Sequence, residues 1–348
     1  MSAMKRLIHR RSVLVAAACC LLLSGPAPAD AAFAPGTRVL LDAHNCYPYN
    51  GRWADRIDRA LSTGTPLAIE QDLVWFRDPV TGQGRSLVAH DEAGKPQLGL
   101  TGREPTMRDY FFERIRPLVE QALRENRRDT WPIVTLNLDL KTEEPEHLAA
   151  IWALLSEYKA WLTTAARTAR LDEVQPLEVG PVLVLTGESD AQRQAFYDAV
   201  PIGQRLLVFG AARPRMRQAD TAAEARVKAG EELPDLTPGT RTNYHRWWNN
   251  PWNVVELGGQ RKAGAWTPQD EARLRSLVGA AHTAGLWIRF YTLNGHDPSD
   301  DSGGWSPGYN FGSEDAARER WRAAIRAGVD FVAVDQYERF SATLRETR

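Results

Sequence analysis

Acidic residues, histidines and a lysine recur at the ends of four short apolar segments of this chain. Glu70 and Asp72 end one segment, and Asp139 and Lys141 end another. Alternate residues of a strand share one face, so each pair is predicted to point in one direction. Carboxylates gathered in this way are costly to bury without a cation between them. The spacing therefore predicts a site for one divalent cation, Mg²⁺ or Ca²⁺, held by Glu70, Asp72 and Asp139.

Two histidines end the other two segments. His44 and His90 lie where a barrel enzyme carries its catalytic residues, so they are predicted to act as an acid/base pair beside the acids. Asp42 shares a strand face with His44 and could orient it. Lys141 is expected to neutralise phosphate charge or to hold the acids in place. Solvated acids at surface strand ends and a structural Asp139–Lys141 ion pair are the simpler alternatives.

The elements that must position these residues are strands and helices in regular alternation. Eight apolar segments of strand length are 39–44, 67–72, 86–91, 133–141, 181–186, 205–210, 287–293 and 331–335. Helix-period stretches occupy 107–125, 146–162, 268–284 and 314–327. Near-continuous apolar strands suit a parallel sheet that is covered on both faces. The pattern predicts an α/β fold, a (β/α)8 TIM-type barrel over residues 32–348, with an open doubly wound sheet as the alternative.

Two polar and aromatic stretches, 211–251 and 296–312, are predicted to be long insertions in the βα loops. The segment 244–252, at the end of the first stretch, holds Trp247, Trp248 and Trp252, three tryptophans within six residues. In an exposed loop they would make transient contact with a membrane surface or stack on a sugar ring. A small buried cluster is the alternative.

The remaining histidines are less suggestive. His147 is predicted to lie on a helix surface, and His282 is predicted to be structural because it lies inside a helix. His245 and His296 are assigned to loops, where they could contact a substrate. None of these four is predicted to be catalytic.

The first 31 residues have the pattern of an export signal. Basic residues precede an apolar run, 12–23, that is too short to span a bilayer, and small residues follow it up to Ala31. The pair Arg10-Arg11 is loosely typical of a twin-arginine signal. A secreted or periplasmic protein is therefore predicted, with an uncleaved anchor as the alternative.

The composition limits the class of partner. Removing residues 1–31 takes away four of 43 basic and one of 44 acidic residues, which leaves a net charge of −4. Such a chain is not expected to bind nucleic acid, which selects basic surfaces. Cys46 is the only cysteine after Ala31, so no intrachain disulfide is expected.

Taken in order, these motifs resemble the glycerophosphodiester phosphodiesterase and phosphatidylinositol-specific phospholipase C-like superfamily. The resemblance rests on His44, Glu70-x-Asp72, His90-Asp91 and Asp139-x-Lys141, with Phe290-Tyr291-Thr292-Leu293-Asn294 and Val334-Asp335 near the C-terminus. It implies a TIM-type barrel, a metal on the three carboxylates and the two histidines as acid and base. Asn45-Cys46 depart from the arginine and glycine usual after the first histidine. Asp139-Leu140-Lys141-Thr142 is more similar to the sphingomyelinase D branch.

The resemblance implies a secreted, metal-dependent phosphodiesterase that acts on a glycerophosphodiester or a phospholipid headgroup. Attack by water would make it a hydrolase, whereas attack by a hydroxyl of the substrate would give a cyclic phosphate and make it a lyase. A non-catalytic barrel that binds phosphorylated ligands is one alternative. A glycosidase that uses two carboxylates is another, but it would need neither histidines nor metal.

Overall fold

A computed structural model describes residues 33–48, 54–90, 99–213, 236–256, 264–295 and 311–348. The predicted export signal, Asp91 and His296 lie outside these residues, as does most of the predicted 296–312 loop. Strands and helices alternate along the described chain. The strands are β1 Leu40–Ala43, β2 Leu67–Arg77, β3 Gly84–Val88, β4 Val134–Leu140, β5 Ala165–Ala166, β6 Val182–Thr186, β7 Arg205–Leu206, β8 Phe209–Ala211, β9 His245–Pro251, β10 Trp287–Tyr291 and β11 Phe331–Val334.

Eight of these described strands form a closed parallel barrel. Their order around it is β1, β2, β4, β6, β8, β9, β10 and β11, and every neighbouring pair is parallel. Closure follows because β1 pairs with β2 on one side and with β11 on the other. The predicted (β/α)8 barrel is confirmed, and the open sheet is excluded.

Two assignments within the barrel were wrong. The segment 86–91 does not supply a barrel strand, because Gly84–Val88 runs antiparallel to the second half of β2 as a hairpin. The missing barrel strand is His245–Pro251, which was assigned to a loop. Its asparagines and proline are typical of turns, but pairing with β8 and β10 outweighs that local preference.

The tryptophan-rich segment is therefore core rather than an exposed loop. Trp247, Trp248 and Trp252 are 1%, 1% and 0% exposed. The indole of Trp247 donates to the carbonyl of Thr186 at 2.9 Å, and that of Trp252 donates to Glu256 at 2.6 Å. The predicted membrane contact through these three side chains is wrong, because none of them reaches the surface.

The described residues include seven α-helices, of which four match the predicted stretches. They are α1 Arg56–Ser62, α2 Glu113–Glu125, α3 Pro145–Glu157, α4 Asp190–Arg193, α5 Pro268–Thr283, α6 Glu314–Ala327 and α7 Tyr337–Thr347. Helix α5 begins with a capping box in which Thr267 and Asp270 satisfy each other's backbone N–H groups. Gly328 ends α6 with φ of +80°, a left-handed conformation that favours glycine. No helix of the described residues has both the length and the apolar composition needed to cross a membrane.

His147 lies on α3 but is buried, so its prediction as a surface residue was wrong. Its Nδ1 is 3.0 Å from the carbonyl of Thr142, which can only accept, so Nδ1 carries the hydrogen. Nε2 then accepts from the Ser86 hydroxyl at 2.8 Å. The neutral ring thus joins α3 to the hairpin of β2 and β3. Burial lowers the pKa of His147 from 6.5 to about 4.

We expect this histidine to make the fold acid-sensitive. Because its pKa is lower in the folded than in the unfolded chain, protonation favours unfolding. The stability it contributes is complete above about pH 6.5 and is lost as the pH falls towards 4. Replacing His147 with Gln should reduce the loss of unfolding free energy between pH 7 and pH 5 by about 2 kcal/mol. Urea unfolding at both pH values measures this, and equal losses in the two proteins would contradict it.

Candidate active site

The chemistry-bearing side chains share the inner face of the barrel. Register pairs Glu70 with Asn137 and Asp72 with Asp139, so the four side chains lie on one face of β2 and β4. All four follow the rule that alternate strand residues point the same way. Here β4 ends and β2 leaves the barrel to pair with β3, at the C-terminal face where barrel enzymes carry their active sites.

Glu70, Asp72 and Asp139 form an acid cluster at this end. One carboxylate oxygen from each lies within 4.8 Å of the other two. Glu70 and Asp72 are 3% and 1% exposed, whereas the Asp139 side chain is 46% exposed. Lys141 Nζ lies 2.7 Å from Asp139 and 3.1 Å from Asp72, so it joins two members of the cluster.

The charges of the acid cluster are unevenly compensated. Burial opposes ionisation of Glu70, but Arg289 and His44 outweigh it and lower the pKa of Glu70 to about 2. Burial raises the pKa of Asp72 well above its usual value, although Lys141 opposes the rise. Asp72 Oδ1 is buried and has no hydrogen-bond partner among the described residues.

The acid cluster suits a hard divalent cation. Its three donors are carboxylates, the ligands that Mg²⁺ and Ca²⁺ prefer, and their oxygens are close enough to share one ion. An ion would also give the orphaned oxygen of Asp72 a partner. Glu70, Asp72 and Asp139 therefore fit a metal, and Lys141 and the two histidines surround them.

His44 follows β1 directly and is held from two sides. Nδ1 lies 3.2 Å from Asp335 Oδ1, and Nε2 lies 3.6 Å from Glu70 Oε2. Burial disfavours the charged ring, but Glu70 and Asp335 outweigh it and raise the pKa of His44. The prediction that Asp42 orients His44 was wrong, because Asp42 instead accepts from Arg289.

Asp335 is fixed by a network of its own. Its carboxylate accepts from the side-chain amides of Asn45 and Asn294, and Arg56 Nη1 lies 3.5 Å away. The backbone N–H of Asp335 donates to Asn294 at 2.7 Å. Sequence reasoning noted Val334-Asp335 but gave Asp335 no role, although a carboxylate at the end of an apolar strand was a usable signal.

His90 reaches the same cluster from the hairpin. Its side chain is 36% exposed, and Nε2 lies 3.9 Å from Asp72 Oδ2. The hairpin is anchored here because the N–H of Ala89 donates to the carbonyl of Asp72 at 3.0 Å. The two histidines therefore face different carboxylates of one cluster, His44 facing Glu70 and His90 facing Asp72.

Asn45 follows His44 at the position where the resembling phosphodiesterases usually have arginine. It has φ of +52°, a left-handed conformation that asparagine tolerates better than most residues. In that conformation its N–H donates to Glu70 Oε2 at 2.9 Å. The residue after His44 thus helps to fix a predicted metal ligand.

Arg289 is the site residue that sequence reasoning missed. It lies in the middle of β10 and is 2% exposed. Its guanidinium donates to Asp42, to Glu70 at 2.9 Å and to Asn249 at 3.0 Å. The available signal was a single charged residue within the apolar strand Trp287–Tyr291. Arg289 shares one face of that strand with Trp287 and Tyr291.

The other histidines of the described residues lie apart from the acid cluster. His282 Nε2 is 2.9 Å from Asp330, and that carboxylate also accepts from the N–H groups of Gly36 and Ile288. This pair ties the N-terminal segment to the opposite end of the barrel, as a structural histidine would. His245 begins β9 and bonds to Thr242.

No protein-family model and no curated protein matches the chain. Solved structures with a similar fold include a glycerophosphoryl diester phosphodiesterase from Parabacteroides distasonis, with a TM-score of 0.41 and 16% identity over 89% of this chain and 87% of that one. A glycerophosphodiester phosphodiesterase from Agrobacterium tumefaciens has a TM-score of 0.38 and 14% identity, over 88% and 98%. HPPK-DHPS from Plasmodium falciparum has a TM-score of 0.41 and 8% identity, over 90% and 48%. A shared fold does not assign an activity.

We expect the acid cluster to bind a divalent cation. Glu70→Gln, Asp72→Asn and Asp139→Asn should each weaken binding of Mg²⁺ or Ca²⁺, measured by titration calorimetry. Removing an outer-shell partner of a metal ligand lowers metal affinity roughly 10- to 100-fold, and removing a ligand itself should lower it at least as much.

Glu256→Gln is the matched control, because Glu256 is a buried carboxylate that pairs with Arg320 outside the cluster. Its metal affinity should equal that of the unsubstituted protein. If the three cluster variants all unfold, or if they all bind metal normally, the acids form a structural ion network instead.

Proposed function

We propose that this protein is an exported, metal-dependent phosphodiesterase that cleaves a glycerophosphodiester or a phospholipid headgroup. The observation that carries the proposal is the placement of two histidines against different carboxylates of one acid cluster. His44 Nε2 is 3.6 Å from Glu70, and His90 Nε2 is 3.9 Å from Asp72. Phosphodiester cleavage needs charge neutralisation, a base and an acid within one site, and this arrangement can supply all three.

The acids and Lys141 account for the charge of the substrate. A phosphodiester is an anion and gains negative charge on its non-bridging oxygens during attack. When bound to Glu70, Asp72 and Asp139, a divalent cation supplies the positive charge that offsets it. Lys141 adds a second positive group at the same edge of the cluster, where its side chain is still 18% exposed.

The histidines account for the protons. One imidazole accepts the proton of the attacking oxygen, and the other donates a proton to the departing alcohol. Asp335 and the Asn45 amide hold Nδ1 of His44 at 3.2 Å and 2.7 Å, which leaves Nε2 directed at the cluster. If the attacking oxygen is water, the product is an open phosphate. If it is a hydroxyl of the substrate, the product is a cyclic phosphate, and the same residues serve both reactions.

The order of motifs supports this substrate class. His44, Glu70-x-Asp72 and Asp139-x-Lys141 resemble the phosphodiesterase superfamily named above, and their side chains meet at one end of the barrel. The export pattern of residues 1–31 supports a secreted or periplasmic location. Residues 32–348 are therefore the form to assay.

The experiment is a substrate panel followed by ³¹P NMR, which distinguishes cyclic from open phosphates. Glycerophosphodiesters, lysophospholipids, sphingomyelin and phosphatidylinositol are each incubated with Mg²⁺, Ca²⁺ or EDTA. We expect metal-dependent turnover of at least one substrate and its loss in His44→Ala and His90→Ala. Metal binding without turnover of any substrate would contradict the proposal and favour a non-catalytic barrel that binds phosphorylated ligands. Turnover that persists in EDTA would contradict the metal-dependent mechanism.

Asp335→Asn tests how His44 is oriented. Asparagine cannot reproduce the negative charge that Asp335 places beside Nδ1 of the ring, so kcat should fall by roughly 10²- to 10⁴-fold while KM changes little. Steady-state kinetics on the substrate found in the panel measure this.

Asp330→Asn is the control, because Asp330 makes a similar buried bond to His282 at 2.9 Å but lies at the other end of the barrel. It should lower the melting temperature without lowering kcat. Equal kcat values for the two variants would show that orientation of His44 by Asp335 does not contribute to catalysis.

A further inference from the structure

Arg289 ties together three strands around the acid cluster. Its guanidinium reaches Asp42 on β1, Glu70 on β2 and Asn249 on β9 from its own position on β10. A buried arginine is costly unless its charge and its donors are satisfied, and here two carboxylates and an amide satisfy them. Glu70 belongs to the predicted metal site, so Arg289 contacts that site through one of its ligands.

We propose that Arg289 is a positioning residue that fixes the carboxylate of Glu70 for metal binding. The inference rests on the metal site of the proposed function. Arg289 donates to Glu70 Oε1, and the backbone N–H of Asn45 donates to Glu70 Oε2, both at 2.9 Å. Each oxygen therefore has one fixed donor, and the plane of the carboxylate is set.

The remaining lone pairs of Glu70 make this arrangement compatible with a ligand role. A carboxylate offers about four acceptor positions, two on each oxygen. Arg289 and Asn45 occupy one on each, which leaves one on each oxygen. Metal ligands are commonly oriented by such hydrogen bonds from outer-shell groups, and losing one costs roughly 10- to 100-fold in affinity.

A positioning role and simple charge repulsion predict opposite changes in metal affinity when Arg289 is removed. A cation beside a metal site repels the metal, so removing its charge should tighten metal binding or leave it unchanged. Loss of positioning should instead weaken binding, because Glu70 is then free to rotate. The direction of the change in affinity therefore identifies the role.

The test is the double variant Arg289→Met with Asp42→Asn, in which the arginine and its second carboxylate partner lose their charges together. The net charge around the cluster is then unchanged or more negative, so direct repulsion of the metal does not increase, and the Arg289→Lys variant described below keeps the positive charge that lowers the pKa of Glu70. We expect the affinity for Mg²⁺ alone, and for Ca²⁺ alone, to fall roughly 10- to 100-fold by titration calorimetry. Unchanged or tighter binding by the folded variant would overturn the proposal.

The matched control removes a comparable buried ion pair elsewhere. Arg320 donates to Glu256 through Nε at 2.9 Å and Nη2 at 2.6 Å, and both side chains are buried. Arg320→Met with Glu256→Gln should destabilise the fold without changing metal affinity. A similar loss of affinity in this control would overturn the proposal, because general loosening of the barrel would then explain both results.

Two single variants keep the test valid if the double variant does not fold. Asn249→Ala removes the partner of Nη1 but no charge, and should weaken metal binding only a few-fold. Arg289→Lys keeps the charge, but a single ammonium lacks the planar fork of the guanidinium. The metal affinity of this variant should therefore stay below that of the unsubstituted protein. Full affinity in the lysine variant would show that charge alone suffices and would also overturn the proposal.

The two proposals fail in different ways. If the unsubstituted protein binds neither Mg²⁺ nor Ca²⁺, the metal site of the proposed function is wrong, and the role of Arg289 is wrong with it. If the unsubstituted protein binds metal and the double variant binds it equally well, only the role of Arg289 is wrong.

Discussion

The balance of charge inside the barrel is the constraint on which the site depends. Among the residues that the structure describes, five carboxylates at this end pair with three permanent cations: Asp42 and Glu70 with Arg289, Asp72 and Asp139 with Lys141, and Asp335 with Arg56. This set therefore has two more acids than permanent cations. Buried charge without compensation is strongly unfavourable, and a divalent cation is the natural complement of such an excess.

Closure of the sheet makes this concentration of charge achievable. In an open sheet with β1 and β2 at opposite edges, β10 would lie far from β2. In the barrel, Arg289 on β10 reaches both Asp42 on β1 and Glu70 on β2. The opposite end carries the His282–Asp330 pair and an aromatic contact. Phe33 and Trp287 pack there with ring centroids 4.7 Å apart, and the indole of Trp287 donates to the carbonyl of Phe33. The acid cluster and its three cations thus lie at the end at which strands deliver catalytic residues.

Local periodicity explains why much of the site could be predicted from sequence. Glu70 with Asp72, and Asp139 with Lys141, are two residues apart on strands, so their shared faces followed from the two-residue repeat. Strand β9 could not be found in this way, because Asn249, Asn250 and Pro251 are typical of turns and only its neighbours make it a strand. Arg289 was hidden for a related reason: its partners are distant in sequence, on β1, β2 and β9.

The histidines show where order along the chain misleads about geometry. His90 was predicted to end a parallel strand, yet it reaches the cluster from an antiparallel hairpin that β2 itself continues. The residue was placed at the site for the wrong structural reason. Asp42 was expected to orient His44 because the two residues share a strand face. The ring instead contacts Asp335, on the segment after β11.

The central claim is that one divalent cation binds between Glu70, Asp72 and Asp139. The most direct test is anomalous diffraction from crystals of residues 32–348 soaked in Mn²⁺. We expect one strong peak at about 2.0 to 2.6 Å from an oxygen of each of these three carboxylates. The absence of a peak there at saturating Mn²⁺, or a peak confined to other residues, would contradict it.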